Sequence, residues 1–155
     1  SAASAAPSSS FPEREFESAI DEYKKLDYDV RYKFLAQNVE LCRAAAQHWH
    51  TLTHEQQNAL FQDDDETWSF FNEAAMLEEA CAAYLRATNK KRCTTTEREY
   101  LNALLNSVYD KDIVMDAITE AAASTDNVNL KYIAAIARDR AGGDWEPVGP
   151  LNGNK

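Results

Sequence analysis

Phe16, Ile20 and Tyr23 recur at helical spacing and predict a first helix over 13–26. Pro12 stands just ahead of it, at a position where a missing N–H costs a helix nothing. Asp27 or Asp29 can cap the next element, a long helix over 30–49. That helix carries two apolar stripes: Val30, Phe34, Leu41, Ala45 and Trp49, then Tyr32, Leu35, Val39, Cys42 and Ala46. Two stripes predict a central helix contacted from more than one side. Thr53 with Gln56 forms a capping-box pattern opening a short helix that ends near Phe61. Asp63, Asp64, Asp65 and Glu66 place negative charge at the start of another, which runs to about Ala87 through Trp68, Phe71, Ala75, Cys81, Tyr84 and Leu85. This helix is expected to pair antiparallel with 30–49.

Residues 88–95 break the pattern and turn locally basic. Beyond them, Thr94 with Glu97, or Thr96 with Glu99, can cap a helix holding Tyr100, Leu101, Leu104, Leu105 and Val108. Asp110 can cap one with Ile113, Val114, Ala117, Ile118 and Ala121. After a polar stretch at 124–127, Leu130, Ile133, Ala134 and Ala137 mark a last helix, stopped by Gly142 as a left-handed terminator. The expectation is an all-α fold, an irregular bundle of about seven helices. A long central antiparallel pair joins a C-terminal three-helix group, and both termini are extended. The segments are a flexible Ser/Ala-rich stretch over 1–12, a helical domain over 13–141 with sub-bundles 13–87 and 94–141, and an irregular tail over 142–155.

No glycine or proline lies between Glu13 and Ala141. Tight hairpins need residues that reach positive φ, so a β-rich fold is disfavoured. Phosphate-cradling loops, nucleophile elbows and dinucleotide fingerprints need glycine as well, so those enzyme classes lose their scaffolds. The chain has 155 residues, 45% of them hydrophobic and 27% charged, with a net charge of −10. Such a surface repels phosphate backbones and anionic lipid, and it suits docking onto a basic protein surface. No apolar run is long enough to span a bilayer.

The opening SAASAAPSSS reads either as an expression remnant or as the N-terminus left after removal of a targeting peptide. Three cysteines without a short-spaced pair argue against a disulfide framework. An intracellular, reducing compartment is expected, with the mitochondrial matrix or a plastid as candidates.

Candidate chemistry is sparse. His48, His50 and His54 cluster, and His50 and His54 have the i, i+4 spacing of helical metal ligands. Thr51 and Thr53 interrupt the helix between them, so no metal is expected. The acidic run at 63–66 lacks the alternation and central glycine of a calcium loop. Cys42 and Cys81 sit on apolar stripes and are expected to be buried. Cys93 follows Lys90, Lys91 and Arg92, whose charge can lower a thiol pKa. The same basic trio is one candidate partner contact. Trp145, Pro147 and Leu151 in the tail are another. Fixing the twelve residues from Asp144 to Lys155 costs at least what burying Trp145 and two aliphatic side chains gains, so the tail is expected to be loose unless a partner covers it.

Two local resemblances can be drawn. Ala117-Ile118 through Asn127, Leu130 to Ile133 and Ile136 resemble the closing helices of the DnaD-type replication domain, which implies DNA and helicase-loader contact. Arg140 stands where that pattern has an aromatic residue. Trp49, Leu52-Thr53 and Glu55-Gln56 resemble a stretch of HMG boxes, without the basic residues that bend DNA there.

The expected function is a non-enzymatic helical protein–protein interaction module, an accessory or structural subunit of a larger, organellar assembly. The alternative is a DnaD-like nucleic-acid-processing or replication accessory factor. No cofactor and no small-molecule substrate are implied; other protein subunits are the expected partners.

Overall fold

The computed structural model describes residues 13–152. The Ser/Ala-rich segment and Pro12 lie outside them. The described residues are all-α, without a strand. Eight helices follow one another: α1 Glu13–Lys25, α2 Tyr32–Gln37, α3 Val39–Thr51, α4 His54–Asp63, α5 Asp65–Thr88, α6 Thr95–Val108, α7 Lys111–Ser124 and α8 Leu130–Ala141. None is long and apolar enough to cross a membrane. One hydrophobic core runs from Phe16 on α1 to Ala141 on α8, so the long helices and the C-terminal group share an interior.

Local hydrogen bonds set most of the boundaries. Thr53 and Gln56 form a reciprocal capping box, and Thr94 and Glu97 form another. Asp64 ends α4 and caps α5, accepting from the Thr67 N–H and hydroxyl. Asp110 caps α7 and Asn129 caps α8. Gly142 closes α8 with φ +59°.

The helix expected over 30–49 is in fact two. Asn38 separates α2 from α3, with ψ 74° and its N–H and Nδ2 both donating to the Phe34 carbonyl. The carbonyls of Leu35 and Ala36 accept instead from Arg98 on α6. A guanidinium from α6 thus supplies the donors that a continuous helix would have drawn from its next turn.

α3 and α5 form the expected antiparallel pair. Cys42 Sγ lies 3.7 Å from the Ala74 carbonyl, while Trp49 meets Phe71 and Trp68 nearer the start of α5. Cys42 and Cys81 are buried on this pair and Cys93 is half-exposed. A charged maleimide added without denaturant is expected to modify Cys93 alone, read by intact mass. Equal labelling of all three would contradict the packing of α3 on α5.

The tail differs from the expectation. The Glu146 N–H donates to the Ser107 carbonyl and the Val148 N–H to the Ser107 hydroxyl. Trp145 and Val148 pack on the core, and Leu151 is buried. Gly149 has φ +57°, and a Cβ there would stand 2.4 Å from the Tyr32 ring. Ser107 of α6 and Tyr32 of α2 therefore receive the tail directly. The sum of side-chain burial against chain entropy left out these backbone bonds.

Candidate functional site

Where α1 ends, the chain turns through Asp27–Val30 and Arg31 folds back beneath it. The Arg31 Nη2 donates to the carbonyls of Lys24 and Leu26, and Nη1 to Glu66. Its guanidinium lies 4.6 Å from the Tyr23 ring centroid and 5.5 Å from that of Tyr28. Tyr109 ends α6 in a left-handed conformation (φ 55°), a position that ordinarily favours glycine or asparagine. The two tyrosines stack with centroids 6.2 Å apart, yet remain 59% and 58% exposed.

Behind this pair lies a cleft of about 270 Å³, walled by Trp68, Met76 and Leu105 with the amide side chains of Asn72 and Asn106. Its floor is polar and closed. Glu73 is buried, with Oε1 accepting from the Tyr23 hydroxyl at 2.6 Å and Oε2 from Asn102 Nδ2 at 2.7 Å. Asn102 Nδ2 also donates to the Tyr32 carbonyl. Burial drives the Glu73 carboxyl above its ordinary range, against the lowering effect of Tyr23, Asn102 and Arg31. Burial, then the charge of Glu73, raises the Tyr23 phenol. Arg31 Nε and Asn102 Oδ1 are buried without a hydrogen-bond partner.

Along the chain, Asp27 and Asp29 flank Tyr28 and Asp110 follows Tyr109, while Glu66 pairs with Arg31. Glu146 is close enough to help raise the Tyr109 phenol, after burial and the hydrogen bond with Tyr28. This arrangement offers exposed aromatic faces beside a small recess, with carboxylates adjacent to both tyrosines in the chain, a setting for a cationic side chain. A larger depression of about 560 Å³ between α1 and α3 carries Glu15, Glu22 and Glu40, but has no buried polar group among its lining residues.

The residues singled out from sequence lie elsewhere. His50 closes α3 and His54 opens α4 across the extended Leu52, and the two share no helix face. His48 rests its ring 5.0 Å from that of Phe71. No group that could hold a metal occurs among the described residues. Lys90 is engaged locally, 2.6 Å from Glu97, while Lys91 and Arg92 are exposed. Burial tends to raise the Glu97 carboxyl. Hydrogen bonds from Lys90, the Thr94 N–H and Tyr84 outweigh that and hold it at about 2. Trp145, Pro147 and Leu151 come together against Tyr100, Lys131 and Arg138 of α6 and α8, around a groove of about 470 Å³.

Sequence reasoning missed Tyr28, Arg31, Glu73, Asn102 and Tyr109. The available signal was the polar pair Glu73 and Asn102 on otherwise apolar stripes: Phe70, Ala74 and Leu77 on α5, and Leu101 and Leu105 on α6. No protein-family model, curated protein or solved structure matches this chain.

Proposed function

We propose that this protein is a non-enzymatic helical interaction module, an accessory or structural subunit of a larger assembly. In this reading a partner protein inserts a lysine or arginine side chain at the Tyr28–Tyr109 cleft. The observation that carries it is the stacked, exposed tyrosine pair over a small cleft, with Asp27, Asp29 and Asp110 next to the two tyrosines in the chain. Exposed tyrosines beside a recess resemble the anchors that dominate interface energetics. The net charge of −10 favours a basic partner and fast, salt-sensitive association. Lys90 is held by Glu97 and Leu151 is buried, which leaves the cleft as the better-formed docking surface. Three free cysteines suit a reducing compartment, an organelle matrix included.

Size-exclusion chromatography of native extract tests the proposal. The chain should elute in a complex that high salt dissociates. The variant Tyr28→Ser/Tyr109→Asn should elute as a free monomer with unchanged helical circular dichroism. Asparagine keeps the left-handed backbone at position 109 accessible. Native chain eluting only as a monomer, or a variant retained in the complex, would refute this reading.

A further inference from the structure

The groove of about 470 Å³ between α8 and the C-terminal tail shares no lining residue with the Tyr28–Tyr109 cleft. Along α8 it is lined by Lys131, Ala134, Ala135 and Arg138, the i, i+3, i+4, i+7 pattern of a single helix face. A cation thus stands at each end of this face, with only methyl groups between. The tail contributes Trp145 and Pro147, and α6 adds the Tyr100 ring. This side is held in place: the Val148 N–H donates to the Ser107 hydroxyl at 3.0 Å, and Leu151 is buried.

Its charge is opposite to that of the chain. Lys131 and Arg138 are exposed, and among the described residues neither is in an ion pair, whereas the nearby Arg140 is held by Glu120. No carboxylate from the described residues lines the groove; Asp144 and Glu146 flank Trp145 in the chain without lining it. The chain as a whole carries −10. Repulsion of an acidic ligand by the rest of the surface is screened beyond about 8 Å at physiological salt, so the two nearest cations set the local preference.

We propose that this groove binds an acidic, proline-containing segment of a partner protein in the polyproline II conformation, with carboxylates three residues apart placed on Lys131 and Arg138. Spacing and wall chemistry together carry the assignment. Seven residues of α-helix set the two cationic positions about 10.5 Å apart. A polyproline II helix turns once in three residues and rises about 3.1 Å for each, so positions i and i+3 share one side about 9 Å apart. A β-strand places same-side residues at about 7 or 13 Å, which fits less well. Prolines pack on aromatic walls such as Trp145 and Tyr100, and their fixed backbone loses little entropy on binding. Ala134 and Ala135 leave room for the ligand backbone to approach α8. A second copy of this chain is a poorer occupant, because its acidic run at 63–66 is taken up in the junction of α4 and α5 and is not extended. The inference does not rest on the docking cleft.

Blocked synthetic peptides titrated into the isotope-labelled full chain test it, one centred on Glu-Pro-Pro-Glu and one on Gln-Pro-Pro-Gln. The Trp145 indole N–H resonance, assigned with Trp145→Phe, reports binding. The acidic peptide should shift it to saturation, and the neutral one should bind about fivefold to tenfold more weakly, the loss expected for two exposed ion pairs. Lys131→Gln/Arg138→Gln should show the same loss toward the acidic peptide with unchanged helical circular dichroism. Tyr28→Ser/Tyr109→Asn should bind it like the native chain, which separates this result from that of the cleft. No shift at Trp145, equal affinity for the two peptides, or full binding by the glutamine variant would each overturn the proposal. So would a Glu-Glu-Pro-Pro peptide that binds as tightly, or a single-stranded DNA oligonucleotide that displaces the acidic peptide. The comparison of peptides on the native chain decides the matter even if a variant folds poorly.

Discussion

Replacing Arg98 with alanine is expected to lower the unfolding free energy by about 3–5 kcal/mol, among the largest single effects in the chain. Its Nε donates to the Ala36 carbonyl at 3.0 Å and its Nη2 to the Leu35 carbonyl at 3.3 Å. The third arm reaches Glu78. Deletion leaves two buried helix-end carbonyls without donors and Glu78 with only the more distant Arg43 at 3.9 Å, and it opens space between α2, α5 and α6. A small domain has only about 5–15 kcal/mol to lose. Lysine supplies the charge without the planar fork, so Arg98→Lys should recover less than half of the loss. Urea denaturation followed by far-ultraviolet circular dichroism measures both variants. A lysine variant as stable as the native chain would mean that charge alone, and not the two carbonyl bonds, matters at this position.

Arg98 also marks where the sequence stops being informative. The helices with strong apolar periods were legible because burial of one stripe is a local pattern. Their ends were legible at Thr53, Asp64, Thr94 and Asp110, where the capping oxygen lies within three residues of the N–H it serves. The break at Asn38 was not, because the donors that replace the missing helical bonds come from a residue 60 positions later in the chain. The tail was misread for a similar reason: Ser107 and Tyr32 receive it, and neither is near it in sequence. The cleft followed the same logic. Tyr28 lies between α1 and α2 and Tyr109 just after α6, and neither position signals the other along the chain. Only the packing of α1 and α6 against α5 brings them together over Glu73.

Replacing Asn102 with leucine is expected to destabilise the chain by about 3 kcal/mol near neutral pH, and by clearly less in mild acid. Asn102 is fully buried, and its amide nitrogen serves both Glu73 Oε2 and the Tyr32 carbonyl. Leucine fills the space and removes both bonds. The pH dependence follows from the carboxyl. Burial already raises the Glu73 pKa in the folded chain, so ionising this group is harder folded than unfolded. Stability therefore falls as pH rises past the unfolded carboxylate value of about 4.3, until the folded pKa is passed. The hydrogen bond from Asn102 lowers that folded pKa. Without it the folded pKa climbs further, and the falling limb extends to higher pH in the variant than in the native chain. The two stability curves should lie closest below the unfolded value, where Glu73 is neutral in both states, and diverge as pH rises. Tyr23 still donates to Oε1 in both proteins and does not create the difference. Urea titrations at several pH values from mildly acidic to neutral measure the gap. A gap that stays constant with pH would show that Asn102 acts through the Tyr32 carbonyl and packing alone, and that Glu73 does not depend on it for its charge.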